Sequence, residues 1–540
     1  MAVLSLAVLP ATAAATSSQG EIDAAVDAAI EYVRGQQDPL TGEPFGFEHG
    51  SFSSDWVATS LATAAVSAAD VQTPGKPSLQ DFLFSDYTGF WGGPPTKAVT
   101  DYERATLVAH AAGLDPARLS TDLNLPAQIA GSWNQAAGSF GSQPTPSSAI
   151  FGVLALRVAP VPAWALAPAV SYLRQRQHDD GGWTFSGAMT PAAKAEPSEA
   201  EMTGAAIAAL CEAGAPAYDP AVATALDFLH TQLVEATGAF HSAFGDNADS
   251  TAWAVNGLNA CGIDPQSPAW TTAGGKTSID HLLSLQVPSG SEAGGFGYES
   301  SAEAPNLYST QDALRAIAGG VFTAEPPVRN DPSQPRIRPV PAVTAGTPVP
   351  HLLALELAPG NVRMCKVTAA AGAPLSDLLA AAKAGAVPGN CVTSFSLSGG
   401  QVASIDGAAP AGQDEAWLLR LDRGSETLAG EQPVGFGETI ALRLGKGPGS
   451  GQADDGPTGP AGPAGSAGEA GPAGSAGPSG AAGTPGAPGP QGERGRPGRN
   501  SGIGCTTRRN RHGKRRTRCA VRDQHRRPNH SNTLPVPMNP

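Results

Sequence analysis

The chain has no long apolar run, and most of it is poor in basic residues. Outside the N-terminal segment, no stretch approaches the roughly 20 consecutive apolar residues that a membrane-spanning helix needs. Residues 1–490 carry 21 Lys and Arg against 46 Asp and Glu, whereas residues 491–540 carry 13 against 2. The sequence therefore predicts no membrane span, and the acidic body argues against nucleic acid as a specific partner.

Cysteine is scarce, with six residues in 540. The six form three local pairs, each in a different region of the chain: Cys211 with Cys261, Cys365 with Cys391, and Cys505 with Cys519. Even pairing of this kind favours disulfides in an oxidising compartment. Reduced buried thiols remain the alternative for the first pair.

Residues 1–20 are typical of a secretory signal peptide. About ten apolar residues run into Ala, Thr and Ser, with a small-residue cleavage site near Ala13 to Ala15, although no basic residue precedes them. A disordered apolar N-terminus and a start further upstream are the alternatives. Together with the paired cysteines, this segment predicts a secreted or cell-surface protein.

The first 320 residues repeat one plan six times, at a spacing of roughly 40 to 50 residues. In each copy, a helix ending in aromatic or leucine residues precedes a glycine-rich corner with an aromatic residue, and a second helix follows. The copies centre on Tyr32, Phe82, Trp133, Tyr172, Phe228 and Leu282. Repetition of this kind predicts an array of helical pairs.

The two helices of a copy differ in their apolar pattern. In the fifth copy, Asp219 and Pro220 open a helix whose apolar residues, from Val222 to Leu233, are spaced 4, 3 and 4 apart, so only one face is apolar. The second helices, such as "STAWAVNGLNA" and "MTGAAIAAL", are apolar or small nearly all round. We therefore predict six outer helices around six inner ones, an α/α toroid (α6/α6 barrel).

The fourth copy contains "YLRQRQHDDGGW", which resembles the repeat of the terpenoid cyclase and protein prenyltransferase superfamily. The resemblance covers residues 21–322 and implies an α/α toroid in which the Gln and Trp of each repeat tie it to the next. The cyclase Asp-x-Asp-Asp motif aligns with residues 177–180, which lack the first Asp, and the prenyltransferase Asp-x-Cys zinc motif is absent from the sequence. We therefore predict no catalytic and no metal-binding residue, and we interpret Asp179 and Asp180 as a solvated turn.

The N-terminal turns of the inner helices form a rim at one mouth of the predicted ring. Polar and aromatic residues there are the candidates for contact with a ligand: Trp56, Tyr102, Trp253, Tyr308 and Gln311. Packing in the core is the alternative for the aromatic ones. We interpret the acids of the rim as helix caps, because free N–H groups and the helix dipole favour acids there. These acids are Asp55, Asp101, Glu199, Glu201 and Asp249.

A Pro-rich linker, residues 323–345, leads to a predicted small β domain, residues 346–445, whose alternating strands accompany one helical piece. The segments "SIDG", "AWLLRLDRG" and "GFGETIALRLG" are similar to the β domain of transcobalamin and intrinsic factor. That resemblance implies a corrinoid such as cobalamin held between the two domains, although no residue matches a cobalamin contact. No resident cofactor is predicted otherwise.

The C-terminal region has two parts. Residues 446–500 are collagen-like, with glycine at every third position from Gly456 to Gly498, which predicts a homotrimer or, alternatively, a flexible spacer. Residues 501–540 form a basic tail in which a disulfide between Cys505 and Cys519 would close an Arg-rich hairpin. Such a hairpin suits an anionic cell-surface polymer, and a zinc site at these cysteines is the weaker interpretation.

The sequence therefore favours a multi-domain, secreted or cell-surface, non-catalytic protein that binds an unknown small ligand. The ligand would lie in the toroid mouth or between the toroid and the β domain. One alternative is a terpene-cyclase-like or prenyltransferase-like enzyme whose acid or metal site escapes sequence analysis. The other is a structural, collagen-like surface protein.

Overall fold

A computed structural model describes residues 16–37, 52–90, 97–187, 190–384, 391–412 and 414–446, together with the backbone of short strands at 496–497, 504–509 and 515–520. Most of the signal-peptide-like segment, nearly all of the collagen-like segment and the side chains of the basic tail lie outside the described residues. Within them, no helix has the length and apolar character that crossing a bilayer requires.

Twelve helices longer than four residues make up the described part of the N-terminal domain. They are α1 Gln19–Gly35, α2 Phe52–Thr63, α3 Leu79–Phe90, α4 Val99–Ala111, α5 Leu125–Ala130, α6 Pro146–Val158, α7 Ala163–Gln175, α8 Ala200–Glu212, α9 Pro220–Gln232, α10 Ala248–Ala260, α11 Ser278–Ser284 and α12 Leu307–Ile317. A four-residue helix, Pro191–Lys194, and two 3₁₀ turns, Ala68–Asp70 and Pro268–Trp270, lie in the connections. The short strands β1 Trp133–Asn134 and β2 Ser139–Phe140 pair in the third copy, and β3 Gly320–Val321 follows α12.

The even-numbered helices are the inner ones. Each contacts the next, from α2 to α12, and α12 in turn contacts α2; we call this circuit the helical ring. Every residue of α6 except Arg157 is buried, as expected for a helix that is apolar all round. Gly204 of α8 and Gly257 of α10 allow a close crossing, since a Cβ on Gly257 would lie 2.6 Å from the Gly204 carbonyl oxygen.

The odd-numbered helices lie outside this ring, and α1, α7 and α9 bury one face each. In α9, the predicted N-cap Asp219 accepts a hydrogen bond from the Ala221 N–H group at 3.1 Å. The buried residues of this helix include Val222 and Leu229 of the predicted apolar stripe and also Phe228, whereas Leu226 of the stripe is half-buried. The amphipathic pattern therefore identified the outer helices correctly.

Glutamines at the ends of outer helices link one repeat to the next. The Gln177 Nε2 group donates to the carbonyl oxygens of Gly181 at 2.7 Å and Ala221, in α9, at 2.8 Å. The Gln286 Nε2 group donates in the same way to Gly294 at 3.1 Å and to Ala25, in α1, at 2.8 Å. The second link joins the sixth repeat to the first.

The C-terminal domain has a five-stranded sheet with the strand order β10-β9-β12-β4-β5, in which β12 and β4 are parallel. The strands of this domain are β4 Pro348–Glu356, β5 Val362–Ala370, β6 Ala373–Pro374, β7 Phe395–Ser398, β8 Gln401–Ile405, β9 Glu415–Leu421, β10 Thr427–Leu428, β11 Pro433–Val434 and β12 Thr439–Lys446, with one helix, α13 Leu375–Ala384. Strand β4 is buried on both faces, because Leu353 and Leu355 pack in the core that contains α13 while Leu352 and Ala354 join the helical core.

Two of the three predicted disulfides are present among the described side chains. Cys211 and Cys261 join the C-terminal ends of α8 and α10, with 5.2 Å between their Cα atoms. Cys365 and Cys391 join β5 to the segment after α13, with a Cα separation of 6.0 Å. Cys505 and Cys519 face each other in the backbone register of the antiparallel strands β14 Gly504–Arg509 and β15 Arg515–Ala520, but their side chains lie outside the description. A further short strand, Arg496–Pro497, pairs with β3.

The link made by Gln286 leads to a first prediction. We expect Gln286→Ala to lower the free energy of unfolding by about 1–3 kcal/mol, because it leaves two carbonyl groups of the junction between repeats without their donor. Urea unfolding of the oxidised protein, followed by tryptophan fluorescence, measures the change. Gln175→Ala is the matched control, since its exposed amide contacts only Ser171 of the same helix. An equal loss in both variants would contradict a role for Gln286 in joining the first and last repeats.

Candidate functional site

The corner between an outer and an inner helix has the same construction in three successive repeats. A threonine hydroxyl in the first turns of each inner helix accepts the N–H group of the corner aromatic residue. The pairs are Trp183 with Thr203 at 3.0 Å, Phe240 with Thr251 at 3.2 Å and Phe296 with Thr310 at 2.8 Å. These bonds hold the corner loops over the N-terminal ends of α8, α10 and α12.

Acidic side chains gather at these three helix ends. We call the group the acidic mouth, and its members are Glu199, Glu201, Asp249, Tyr298, Glu299 and Glu303. They come from three repeats, and the carboxyl groups act on one another and on the Tyr298 phenol. The acidic mouth is therefore formed by three repeats together and not by a single loop.

Glu201 is the most enclosed of these acids. Its side chain, in the first turn of α8, is 3% exposed, and its Oε2 atom is buried with no hydrogen-bond partner among the described residues. Burial raises the pKa of Glu201, and hydrogen bonding to its own backbone and to Ser250 opposes this. Burial likewise raises the pKa of Glu199 to about 7, with Glu201 adding to the effect and the Phe185 N–H group, 3.1 Å away, opposing it.

Asp249 and Tyr298 complete the mouth on the neighbouring repeats. Burial raises the pKa of Asp249 to about 7; the Glu201 charge adds to this, while a hydrogen bond to Ser309 and the Arg315 charge oppose it. Burial also raises the pKa of Tyr298, and the nearby carboxylates, Asp249 first, raise it further. Carboxyl groups with a pKa of about 7 are partly protonated near neutral pH, whereas ordinary surface carboxyl groups are ionised there.

The sequence predicts that the rim acids cap their helices or pack in the first turn, and among the described side chains Asp101 makes the cap bond. Its carboxylate accepts the Ala98 N–H group at 2.9 Å, in the first turn of α4. In α8, Glu199 occupies the N-cap position without a side-chain cap bond, and in α10 Asn247, not Asp249, is the cap. Glu201 and Asp249 instead pack in the first turns of α8 and α10. The Asp55 side chain lies outside the described residues.

Aromatic side chains fill the middle of the helical ring. Phe151 of α6 packs edge-on against Trp56 of α2, Trp253 of α10 and Phe322, with ring centroids 5.9–6.2 Å apart. Phe322 directly follows β3, and its centroid lies 5.1 Å from that of Trp253. The segment after α12 therefore turns back and inserts a side chain among inner helices that are not neighbours in the ring.

A buried ion pair supports this inserted ring. The Arg315 guanidinium lies over Phe322, 4.4 Å from the ring centroid, and donates to the Asp312 carboxylate at 2.8 Å. The other oxygen of Asp312 accepts the indole N–H group of Trp253 at 3.1 Å. Both charged residues are fully buried, so the pair requires these partners to offset its desolvation.

The predicted ligand-contact residues differ in how far they are buried. Trp56 and Trp253 are 2% and 0% exposed and belong to the aromatic filling of the ring, and Tyr308 and Gln311 are buried in α12. Tyr102 is half-buried at the start of α4. A role of these five residues in ligand contact stays a prediction. Sequence reasoning missed Tyr298 as a member of the mouth, and the only signal for it was its place in a corner between two helices.

The pair Asp179 and Asp180 forms a turn, as predicted. Both side chains are exposed. Asp180 accepts hydrogen bonds from the Gly182 N–H group at 3.0 Å and from the N–H and hydroxyl groups of Ser198 at 2.9 and 2.7 Å. These contacts hold the corner between α7 and α8 in place.

A further buried acid, Glu103, lies between α4 and α6. It is fully buried, and neither of its carboxylate oxygens has a hydrogen-bond partner among the described residues. A Cβ on Gly152 of α6 would lie 3.1 Å from the Glu103 Oε1 atom. Burial raises the pKa of Glu103 well above its ordinary value, and Asp101 adds to the effect.

Two grooves involve the second domain and the linker. A groove of about 230 Å³ lies where the two domains meet, between Trp133, Tyr172 and the β4–β5 turn. A groove of about 480 Å³ lies under the Pro-rich linker, where Arg329 and Arg338 pair with Asp70 and Asp81. No three His, Cys, Asp or Glu side chains converge as a metal site within the described part of the chain.

Direct contacts fix the junction of the two domains. Arg118, after α4, donates to the Asp422 carboxylate and, at 2.7 Å, to the Phe436 carbonyl oxygen. The Asn124 amide donates to the Pro350 carbonyl oxygen at 3.1 Å, and Lys366 donates to Gln128 at 3.0 Å. The β domain is therefore seated against the helices around α5.

Comparison with known proteins identifies no family for this chain. No protein-family profile matches the chain, and no curated protein matches it. Among solved structures, haptocorrin in complex with Cbi is similar to this chain at 12% identity and a TM-score of 0.33. The match covers 80% of this chain and 99% of the haptocorrin chain. The type II terpene cyclase MstE from Scytonema matches 52% and 82%, at 18% identity and a TM-score of 0.38. Candida albicans protein geranylgeranyltransferase-I complexed with GGPP matches 55% and 85%, at 12% identity and a TM-score of 0.32.

The inserted ring of Phe322 generates a second prediction. We expect Phe322→Ala to lower the free energy of unfolding by about 3–5 kcal/mol, because it removes a buried aromatic ring from its contacts with Phe151, Trp253 and the Arg315 guanidinium. Urea unfolding followed by tryptophan fluorescence measures the change. Tyr218→Ala, at a position that is 85% exposed, is the control and should change stability by about 0.5 kcal/mol or less. A small loss in Phe322→Ala would contradict the filled ring.

Glu103 generates a third prediction. Its pKa is raised in the folded state, so the folded protein holds a proton that the unfolded chain releases above its ordinary pKa, about 4.3. Folding stability therefore falls with rising pH above that value, by about 1.4 kcal/mol per pH unit, until the folded group itself ionises. We expect Glu103→Gln to make the fall with pH shallower by this amount, as measured by urea unfolding between pH 5 and 8. Glu199, Glu201 and Asp249, whose pKa values are also raised, still contribute a fall in both proteins. The exposed Glu31→Gln serves as control, and parallel pH curves for Glu103→Gln and the parent would contradict the assignment.

Proposed function

We propose that this protein is an extracellular, non-catalytic binding protein that holds a small ligand at the acidic mouth. The observation that carries the proposal is the convergence of Glu199, Glu201 and Asp249 at the N-terminal ends of α8 and α10. Glu201 itself is almost fully buried, so a ligand would contact the less enclosed Glu199 and Asp249. Asp249 and Tyr298 flank this position and offer further polar contacts.

The filled ring supports binding over chemistry in the bore. Phe151, Trp253 and Phe322 occupy the space between opposite inner helices, and the Asp312–Arg315 pair holds them there. We propose that the ring of contacts is a closed α/α toroid with its interior taken up by its own chain. The surface left for a ligand is then the mouth.

The extracellular setting draws support from the two disulfides, which persist in oxidising compartments. We retain the predicted division into a toroid at 21–322, a linker at 323–345 and a β domain at 346–445. Trimerisation through residues 446–500 and attachment of the basic tail to an anionic polymer also remain proposals. A corrinoid between the domains is a proposal that a spectral titration tests, and unchanged absorbance at high protein excess would remove it.

One observation favours enzyme activity as a second candidate. Glu199 and Asp249, with pKa values of about 7, are partly protonated near neutral pH, as a general acid must be. An acid-dependent reaction would then occur at the mouth and not at Asp179 and Asp180. Product formation from squalene by the full-length protein, lost in Asp249→Asn, would favour this candidate over a binding protein.

Ligand capture tests the proposed function directly. The full-length protein is incubated with a small-molecule extract, separated by gel filtration, and analysed by mass spectrometry for retained compounds. We expect at least one compound to be retained, and its amount to fall about tenfold in the Glu201→Gln, Asp249→Asn double variant, because the mouth then lacks two of its carboxyl groups.

The control is Asp179→Asn, which removes an exposed acid from a neighbouring corner. It should retain the compound at the parental level. Equal retention by the parent and the double variant would place the ligand elsewhere and contradict the proposed site. Circular dichroism of each variant confirms that it is folded.

A further inference from the structure

The groove under the Pro-rich linker has the size of a small-molecule site. Its volume is about 480 Å³, within the roughly 300–1,000 Å³ that is typical of such sites. The helical domain contributes one wall, which includes Ser78 and Asp81 at the start of α3. The linker contributes the other wall, which includes Arg329 and Arg338. The groove therefore lies beside an outer helix and shares no lining residue with the acidic mouth.

Hydrogen bonds fix the linker wall to the helical domain near both of its ends. The Asn330 N–H group donates to the Asp70 carboxylate at 2.6 Å, and the Arg338 N–H group donates to the Gly113 carbonyl oxygen at 2.7 Å. A Cβ on Gly113 would collide with the Arg336 carbonyl oxygen, so this close approach requires glycine. The groove is therefore held open by defined contacts of the fold.

Arg338 presents part of its guanidinium group to the groove. Its Nη1 group donates to the Asp81 carboxylate, and the guanidinium lies over the Phe84 ring, 4.3 Å from the ring centroid. These two contacts hold the plane of the guanidinium. The Nε and Nη2 groups have no acceptor among the described residues, and neither atom is enclosed. Arg338 therefore keeps N–H groups that a ligand can reach.

Arg329 has the same arrangement near the other end of the linker wall. Its Nε atom is enclosed and lies 3.6 Å from the Asp70 carboxylate. Its two Nη groups are not enclosed, and they have no acceptor within the described part of the chain. The side chains of Arg329 and Arg338 are 27% and 34% exposed. Two guanidinium groups thus line one cavity with N–H groups that the fold does not use.

The carboxylates around the groove, in contrast, are already engaged. Both oxygens of Asp81 accept hydrogen bonds, one from Arg338 and the other from the Ser78 hydroxyl at 2.8 Å. Asp70 accepts a backbone N–H group and faces Arg329. The charges of the two aspartates balance those of the two arginines, so hydrogen bonding and not net charge would select a ligand. Donors without acceptors select an anion.

We propose that the groove binds the phosphate group of a small organic molecule, with the unused N–H groups of Arg329 and Arg338 on its oxygens. A phosphate monoester has three terminal oxygens in separate directions, and guanidinium groups bind them through strong, charge-assisted hydrogen bonds. A carboxylate has only two oxygens, in one plane, and so suits two separate guanidinium groups less well. Pro335 and Pro339 line the same groove and would contact the organic part. This second site goes beyond the proposed function and does not depend on it.

Calorimetry with three aromatic probes tests the proposal on the full-length protein. The probes are phenyl phosphate, benzoate as its carboxylate analogue and phenol as its neutral one, titrated at pH 7.5 in Tris buffer of low ionic strength. We expect phenyl phosphate to bind about tenfold or more tightly than either analogue. Benzoate binding as tightly as phenyl phosphate would overturn the assignment to phosphate.

Variants separate the groove from the basic tail, which also attracts phosphate. Arg329→Gln and, independently, Arg338→Gln should each weaken phenyl phosphate binding about tenfold, so misfolding of one variant leaves the other as a test. Arg34→Gln is the matched control, because Arg34 is also a partly exposed arginine paired with an acid, Glu31 at 2.6 Å, but lies on α1. It should bind as the parent does. Equal binding by the parent and both groove variants would assign the binding to the tail and overturn the proposal.

Hydrogen exchange followed by mass spectrometry locates the bound probe. We expect phenyl phosphate to slow the exchange of linker amides in residues 327–340 by about threefold or more, because the ligand contacts this wall and stabilises it. The effect should be present in Arg34→Gln and absent in Arg338→Gln. Slower exchange confined to the acidic mouth or to the basic tail would place the probe elsewhere and contradict the site.

Discussion

The fold depends on joining its last repeat to its first. Each helical pair buries one side against the next pair, so an open array would leave the apolar sides of α1 and α12 uncovered. The hydrogen bond from Gln286 to the Ala25 carbonyl oxygen and the contact of α12 with α2 cover both at once. Gln177 makes the same kind of bond two junctions earlier, between the fourth and fifth repeats. The glutamine thus fixes the geometry of these two junctions, including the one between the last repeat and the first.

The β domain docks against the repeat that has the shortest outer helix. Helix α5 has only six residues, Leu125–Ala130, and its corner contains the small hairpin of β1 and β2 where other repeats have a glutamine link. Strands β4 and β5 contact α5, and Leu352 and Ala354 extend the helical core across the junction. A shortened outer helix leaves apolar surface exposed, and the sheet covers it. Asn124 and Arg118 then supply the polar contacts that fix the orientation of the sheet.

The sequence predicts the helices and their order well, because the evidence is local. The Asp219 cap, the apolar stripe of α9, the turn at Asp180 and the pairing of Cys211 with Cys261 each follow from residues close in sequence or from simple pairing. The site is harder to predict, since it depends on which loop covers which helix end. Glu201 is enclosed by corners from its own and later repeats, and Tyr298 reaches it from about two repeats further along. Phe322 lies at the boundary of a Pro-rich linker, where nothing in the local pattern indicates insertion into the ring.

The competition between the helix dipole and burial decides the state of the mouth acids. A helix N-terminus stabilises a carboxylate by about 0.3–1 kcal/mol, and by about 2 kcal/mol in favourable geometry. Raising the pKa of Asp249 from 3.8 to about 7 corresponds to about 4 kcal/mol in the opposite direction, and burial is its first cause. Burial therefore outweighs the dipole, even though Asp249 lies in the first turn of α10. If these acids served only as helix caps, their pKa values would be lowered and not raised, because a capping carboxylate has a lowered pKa. Above its ordinary pKa, the buried Asp249 therefore makes the folded state less stable than a neutral residue of the same shape would.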